Sequence, residues 1–203
     1  MSKLLLYIAL IFSPLIAKSQ NFENWSTINI SGDIDDRFKI YVEGEQRYNH
    51  HNKQIRYFHY DIGVKYKINK NTSIGGYYRE LYEIKNNERV LEIRPHIDLF
   101  HEIKDNFKLR IRSEYQIKEK SENVFRYRIR PTYIKMFNDN IGVLLQTEPF
   151  FVGFDLVRNR FNPSLCFTIK KLTIEPGYML ESNNKNNNWS HIHIMWINTK
   201  IKF

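Results

Sequence analysis

Apolar and polar residues alternate one by one along most of this chain. The segment 125–130, for example, reads Phe-Arg-Tyr-Arg-Ile-Arg. Successive residues of a β-strand point to opposite faces, so one face of this segment carries three guanidinium groups while the other is apolar. No helical period fits such a run, and the pattern therefore predicts β-structure.

The alternation recurs in eleven segments, which are separated by short polar turns rich in Asn, Asp and Lys. The segments are residues 24–32, 37–49, 54–68, 73–85, 89–103, 107–118, 123–137, 141–151, 156–170, 172–182 and 190–203. Most of them reach the length, roughly 9–11 residues, at which a tilted strand crosses a bilayer. No linker interrupts the series, which indicates a single all-β domain.

Residues 1–19 have the organisation of a secretory signal peptide. Lys3 supplies a charged start, residues 4–16 form a short apolar run, and Ala17-Lys18-Ser19 provides small residues at the cleavage position. A transmembrane helix needs roughly 20 apolar residues, which is more than this run contains. The sequence therefore predicts export, with a mature domain that comprises residues 20–203.

Alternation alone does not tell which face of the sheet lies inside. A soluble lipocalin-like barrel would turn its apolar face inward around a ligand, whereas an outer-membrane barrel turns it toward lipid. The signal peptide, the aromatic residues near segment ends and the alternating final segment 190–203, which ends in Phe203, favour the membrane case. We predict an antiparallel up-and-down transmembrane β-barrel of about 10–12 strands in the bacterial outer membrane.

The number of strands presents a difficulty. Bacterial barrels have an even number of strands and both termini on the periplasmic side. If segment 190–203 ends in the periplasm, segment 37–49 runs outward and segment 24–32 would begin outside the cell. The first expectation is therefore ten spanning strands with 24–32 as an N-terminal extra segment, and the second is twelve strands.

Short turns set the register between neighbouring segments and bring opposite charges together on the polar face. The predicted pairs are Asp98 with Arg112, His96 with Glu114, Arg130 with Glu148, and Arg160 with Glu181. Such matching is typical of a partly dry interior, where an unpaired charge is costly. The predicted interior charge network consists of Glu45, Arg47, Glu92, Arg94, His96, Asp98, Arg110, Arg112, Glu114, Arg126, Arg128, Arg130, Glu148, Arg158 and Arg160.

Several short motifs repeat on successive segments. They are Glu45-Gln46-Arg47-Tyr48, Glu92-Ile93-Arg94, Arg110-Ile111-Arg112-Ser113-Glu114, Arg126-Tyr127-Arg128 and Asn159-Arg160. With the signal peptide, this pattern resembles the bacterial family called domain of unknown function 2490. The resemblance implies an outer-membrane barrel from a bacterium of the Bacteroidetes type, and it implies no established activity or catalytic residue.

The net charge of +9 falls to +7 when the predicted signal peptide is removed. This excess favours anionic partners such as lipopolysaccharide phosphates, while the interleaving of acids and bases argues against nucleic acid. We expect outer-membrane lipid and lipopolysaccharide as partners, together with the barrel-assembly machinery through the C-terminal strand ending at Phe203. The sequence predicts no cofactor and leaves the oligomeric state open.

The histidines suggest two kinds of chemistry, a metal site and a hydrolytic site. His191 and His193 share a face, but they lack further ligands at the spacing that a metal site needs. A membrane-embedded lipid hydrolase or acyltransferase would combine Ser164 with a histidine such as His96 or His59. No recognisable nucleophile motif surrounds that serine, so the sequence favours a protein that is not an enzyme and has no metal.

The remaining candidate is the interior itself. Five arginines come from two neighbouring segments: Arg110, Arg112, Arg126, Arg128 and Arg130. One interpretation is an interior filled by large ion-paired side chains, as in narrow barrels. The other is a cationic constriction that selects small anions, because rings of Arg or Lys favour their passage. The sequence thus predicts a structural role or the passage of small solutes.

Overall fold

The computed structural model describes residues 22–85 and 88–203, so the predicted signal peptide lies outside the described residues. The described chain forms eleven strands, one for each predicted segment. They are β1 (Phe22–Asp33), β2 (Phe38–Asn49), β3 (Gln54–Lys67), β4 (Thr72–Lys85), β5 (Glu88–Lys104), β6 (Phe107–Lys118), β7 (Val124–Met136), β8 (Ile141–Val152), β9 (Asp155–Ile169), β10 (Leu172–Lys185) and β11 (Asn188–Lys202). In this part of the chain, no helix is long and apolar enough to span a membrane.

The strands close into one barrel in sequence order, and each strand from β2 to β11 is antiparallel to its neighbour in the chain. This confirms the predicted all-β barrel of 10–12 strands. β1 pairs antiparallel with β2, from Glu23 opposite Asn49 to Asp33 opposite Lys39. Its other edge pairs parallel with β11 and closes the barrel.

The expectation that segment 24–32 is an extra segment on a ten-stranded barrel was wrong, and so was the alternative of twelve strands. β1 is a full strand whose parallel ladder with β11 runs from Phe22 opposite His193 to Ser31 opposite Lys202. An odd number of strands closes only if the first and last strands run parallel, and closure leaves no open edge of unpaired backbone groups. The expectation failed because it assumed an even number.

Polar side chains point into the barrel and apolar side chains point outward. In β1, Glu23 and Thr27 are buried inside while Ile28 and Ile30 are exposed outside. The same holds on β6 and β7, where the exposed outward residues include Ile111, Tyr115, Ile117, Phe125, Tyr127 and Ile129. The inverted alternation of a membrane barrel, as predicted, is therefore confirmed in the structure.

Aromatic side chains flank the outward apolar surface. Phe38 contacts Tyr66 with ring centroids 5.0 Å apart, and Phe107 contacts Tyr133 at 4.8 Å, both near the end of the barrel where the chain terminates. Toward the opposite end of the barrel, the aromatic residue Phe58 lies on β3, eight residues before Tyr66. Eight residues span about 26 Å along a strand and about 20 Å along the axis at a tilt of about 40°. This spacing is close to the height of a lipid-facing band.

The register places the predicted charge pairs opposite one another. Asp98 lies opposite Arg112, His96 opposite Glu114, and Arg160 opposite Glu181. The pairing of β7 with β8 is interrupted at Pro131 and Pro149, where proline removes a ladder donor. Arg130 nevertheless reaches Glu148 across this gap, with Nη2 2.9 Å from Oε2.

One tyrosine lies flat against the inside of the barrel wall. A Cβ atom added at Gly63 would meet the ring of Tyr77 at 2.1 Å, and one at Gly75 would meet it at 2.6 Å. The ring also stacks on His96, with centroids 5.0 Å apart and planes 11° apart, and it meets Tyr41 edge-on at 5.7 Å. The glycines therefore make room for an aromatic ring that occupies interior space.

Candidate functional site

Glu148 is the centre of a buried ion-pair network inside the barrel. Its carboxylate accepts hydrogen bonds from Arg110 at 2.7 Å and from Arg130 at 2.9 Å. Arg128 and Arg160 lie slightly farther away, at 3.8 and 3.9 Å. The glutamate is only 1% exposed. Four guanidinium groups from three strands therefore surround one carboxylate that is shielded from water.

Two neighbouring carboxylates continue this network along β5 and β6. Arg112 donates from Nε and Nη2 to the two oxygens of Asp98, at 2.6 and 2.7 Å. Glu114 accepts hydrogen bonds from Arg126 at 2.7 Å and from Arg128 at 2.9 Å, each through Nε. The forked contact at Asp98 is the strongest geometry for an arginine and a carboxylate.

The opposite wall contributes three charged residues outside the predicted network, Glu43, Asp61 and Arg79. Arg79 donates through Nη2 to Asp61 at 2.6 Å and to Glu43 at 2.9 Å. His59 lies 2.9 Å from Glu43, and Nε2 of His96 lies 3.6 Å from Asp61. The alternation and the short turn after β3 already placed Asp61 opposite Arg79, so the register argument could have identified this pair.

These contacts define the ion-paired layer. It consists of Glu43, His59, Asp61, Arg79, His96, Asp98, Arg110, Arg112, Glu114, Arg128, Arg130 and Glu148. Seven consecutive strands, β2 to β8, contribute to it. Its members Arg79 and Arg128 line one cavity, and its members Arg110 and Arg130 line a second cavity toward the opposite end of the barrel.

The other predicted network residues lie between the layer and the end of the barrel where β1 begins. Arg47 binds Glu45 at 2.6 Å, and Arg94 binds Glu92 at 2.6 Å, each on its own strand. Sequence reasoning placed these four residues on the polar face, but it did not predict that they pair within one strand. Residues i and i+2 share a face of a strand, which permits this contact.

The first cavity, here called the arginine cavity, has a volume of about 70 Å³. Its lining consists of Arg47, Arg56, Arg79, Arg94, Arg126, Arg128, Arg158 and Arg160 with Tyr57, Glu83, Phe150 and Glu181. Phe150 is almost fully buried and forms an apolar surface beneath the guanidinium groups. The lining is therefore dominated by positive charge, and its acidic members are Glu83 and Glu181.

The second cavity, here called the lysine vestibule, has a volume of about 500 Å³ and lies at the end where the chain terminates. Its basic lining residues are Arg37, Lys39, Lys65, Lys67, Lys70, Lys108, Arg110, Arg130 and Lys200, and its acidic ones are Asp33, Asp35, Asp36 and Glu102. In the β1–β2 turn, backbone N–H groups of Arg37 and Phe38 donate to Asp35 and lower the pKa of its carboxyl group. The vestibule carries a clear excess of positive charge.

An apolar cluster fills the interior on the remaining side of the barrel. Trp25, Met179 and Ile194 are buried against one another on β1, β10 and β11. The guanidinium carbon of Arg47 lies 3.6 Å from the centroid of the Trp25 ring, and that of Arg160 lies 4.8 Å away. Because these arginines come from β2 and β9, the tryptophan joins two separated parts of the wall through cation–π contacts.

The candidate residues for catalysis or metal binding have other partners in the structure. Ser164 lies 2.8 Å from the side-chain amide of Asn162, and His59 and His96 belong to the ion-paired layer. His191 contacts Ser182, and His193 contacts Tyr178 at 2.5 Å. Among residues 22–85 and 88–203, no group of three or more His, Cys, Asp or Glu side chains could hold a metal ion.

Comparison with known proteins matches residues 22–191 to the family described as "Protein of unknown function (DUF2490)", which confirms the resemblance seen in the sequence. Among solved structures, the KdgM porin is similar, with 13% identity, a TM-score of 0.49, and coverage of 81% of this chain and 85% of the porin. A chain from the structure "Unveiling the Mechanism Behind the in-meso Crystallization of Membrane Proteins" has 10% identity, a TM-score of 0.42, and coverage of 84% and 83%. No curated protein matches the chain by sequence.

Proposed function

We propose that this chain, which belongs to the family of proteins of unknown function DUF2490, is a bacterial outer-membrane β-barrel whose interior is closed by the ion-paired layer. The outward apolar surface, the flanking aromatic residues and the polar interior support a position in the membrane. The predicted signal peptide supports export to that compartment. We assign the barrel a structural role and not an enzymatic one.

The observation that carries the proposal is the burial of the layer. Glu114, Asp98 and Glu148 are at most 1% exposed although each is ionisable and lies inside a barrel. In a wide, water-filled channel the charged side chains of the wall would remain hydrated. Here they contact one another across the interior, and this supports a barrel without a continuous path for hydrated ions through the layer.

A second candidate function is the passage of small anions after the layer opens. The lysine vestibule supports it, because its lining has nine basic and four acidic residues. Such a surface concentrates anions at one mouth of the barrel and repels cations. The ion-paired layer would then act as the barrier that sets when passage occurs.

Two kinds of partner follow from the same arrangement. The outward apolar surface would contact outer-membrane lipid and lipopolysaccharide. Phe203, at the end of the chain, is 67% exposed, and its ring lies against Gly32 beside the β1–β11 ladder. An exposed C-terminal aromatic residue at the closing strand supports recognition by the barrel-assembly machinery.

Planar bilayer recordings of the refolded full-length protein test the proposal. We expect the wild type to be non-conducting. The double variant Asp98→Ala/Arg112→Ala removes both partners of a forked ion pair, so neither charge of that pair is left without the other. It should produce measurable conductance through the resulting gap. The matched control is Glu102→Ala/Lys108→Ala, which removes an exposed pair and should stay non-conducting.

Stable conductance of the wild type would refute the closed interior. The ion selectivity of the opened variant decides the second candidate: anion preference supports it, and cation preference eliminates it. Lipid analysis of a deletion strain adds a separate check, because a lipid-modifying enzyme would leave a changed lipid profile. Extraction from outer-membrane fractions only by detergent would support the proposed location.

A further inference from the structure

We infer that the arginine cavity is a binding site for a small tetrahedral oxyanion, either inorganic phosphate or sulfate. The cavity lies inside the barrel on the side of the ion-paired layer away from the lysine vestibule. The inference depends on three features of its wall: a surplus of arginine over carboxylate, an apolar surface that positions the guanidinium groups, and a volume suited to one small ion.

The surplus of arginine over carboxylate is seen first at Glu114, whose carboxylate binds two arginines. Arg126 and Arg128 both donate through Nε to its carboxylate, at 2.7 and 2.9 Å. Both arginines also line the cavity. The next carboxylate along the layer, Glu148, lies 3.8 Å from Arg128 but is already bound by Arg110 and Arg130. One negative charge is therefore shared by two guanidinium groups that face the cavity.

The second shared carboxylate is Glu181. Arg160 donates to it through Nε at 2.7 Å, and Arg158 approaches it at 3.7 Å while donating through its own Nε to the neutral amide of Asn183 at 2.6 Å. Together with the previous pair, four arginines face Glu114 and Glu181, and two of the four also lie 3.8 and 3.9 Å from Glu148, which Arg110 and Arg130 already bind. Six arginines therefore share three carboxylates, in a setting where an unmatched buried charge is costly.

Phe150 holds these four guanidinium groups near one another. The guanidinium carbons of Arg126, Arg128, Arg158 and Arg160 lie 4.9, 5.0, 5.5 and 4.9 Å from the centroid of its ring. Each of the four donates through Nε to Glu114, Glu181 or Asn183, so terminal N–H groups of the planar forks are the ones that would bind a single acceptor. Forks of this kind recognise phosphate, sulfate and carboxylate by paired hydrogen bonds, which a spherical chloride ion does not complete.

The volume limits the ligand to a small ion. A cavity needs about 10–15 Å³ to hold one water molecule on this measure of volume. The arginine cavity, at about 70 Å³, therefore has room for several water-sized groups. A phosphate or sulfate ion has a central atom and four oxygens and fits this space, whereas a sugar acid or a lipid headgroup still attached to its lipid does not.

Isothermal titration calorimetry with inorganic phosphate tests the inference. The full-length protein is refolded from inclusion bodies into detergent, so that it carries no lipopolysaccharide phosphate. We expect saturable binding of one phosphate per barrel, with sulfate competing and chloride at equal ionic strength not competing. Arg158→Gln should weaken binding by about tenfold or more, because it removes one charge-assisted contact.

Two further variants make the test decisive. Arg89→Gln removes an arginine that stacks on Tyr82 outside the barrel, and it should leave binding unchanged. Arg158→Lys keeps the charge but loses the fork, so it should bind more weakly than the wild type and more tightly than Arg158→Gln. Heat-modifiable migration on gels checks that each variant is folded.

The inference is overturned if the wild type shows no saturable phosphate binding, or if Arg89→Gln weakens binding as much as Arg158→Gln. It is also overturned if phosphate groups bind only when they belong to lipopolysaccharide added to the detergent. The measurement requires no conductance. A failure here therefore leaves the proposed closed barrel standing, and a conducting wild type leaves the oxyanion site standing.

Discussion

Replacing Glu148 with alanine should destabilise the barrel strongly. The carboxylate is buried and lies within 4 Å of four arginines, two of which donate directly to it at 2.7 and 2.9 Å. Its removal leaves those charges uncompensated in a place shielded from water. Breaking a buried ion pair in this way typically costs about 3–5 kcal/mol, and the number of arginines places Glu148→Ala at the upper end of that range.

The matched comparison is Glu181→Ala. This carboxylate is equally buried but pairs with two arginines, Arg160 at 2.7 Å and Arg158 at 3.7 Å. We expect a smaller loss, about 2–3 kcal/mol, because fewer charges lose their partner. The difference between the two variants thus comes from the number of arginines around each carboxylate and not from a difference in exposure.

Guanidinium-induced unfolding in lipid vesicles, followed by tryptophan fluorescence, measures both free energies. Glu102→Ala is the control for the chemical change, since Glu102 forms an exposed pair with Lys108 at 2.7 Å and its removal should cost less than about 1 kcal/mol. If Glu148→Ala costs no more than this control, the layer does not stabilise the barrel. Equal losses for Glu148→Ala and Glu181→Ala would show that the count of arginines does not decide the cost.

Two further predictions address the closure and the wall of the barrel. In a variant without the natural cysteine, Ser26→Cys and Ile197→Cys should form a disulfide, because these residues are opposite in the parallel ladder. Ile30→Cys with Ile197→Cys, offset by about 13 Å along the strand, should not, and the reverse outcome on gels would contradict the parallel closure. Gly63→Ala should lower the free energy of unfolding by about 1–3 kcal/mol, because the added Cβ would lie 2.1 Å from a tyrosine ring and 2.5 Å from a backbone carbonyl oxygen. Gly76→Ala, whose Cβ meets nothing within 4 Å, should be close to neutral in the same denaturation assay, and equal effects would refute the packing argument.

Much of the candidate site could be predicted because hairpin pairing is a local property. A short turn and a period of two residues place Asp98 opposite Arg112 and Arg160 opposite Glu181, as the structure has them. The same argument would have found Arg79 opposite Asp61, had it been applied to β3 and β4. The register thus predicts direct neighbours across one ladder.

Contacts between strands that are not neighbours could not be predicted in this way. Arg110 on β6 reaches Glu148 on β8 at 2.7 Å, with β7 between them. Arg160 on β9 lies over the ring of Trp25 on β1. These distances depend on how strongly the sheet curves and on how many strands close it, and neither quantity is contained in the alternation of any one segment.

The sequence by itself determined that the chain is made of strands, that one face of each strand is polar and the other apolar, and which charges meet across each short turn. These features are local, because they follow from the two-residue period of a strand and the length of its turns. Only the tertiary structure decided that β1 closes the barrel in parallel with β11, because either a parallel or an antiparallel partner satisfies the same alternating pattern. Closure also decided which arginines share a carboxylate. The arginine run at 126–130 therefore faces the ion-paired layer and the arginine cavity through a geometry that the whole barrel sets.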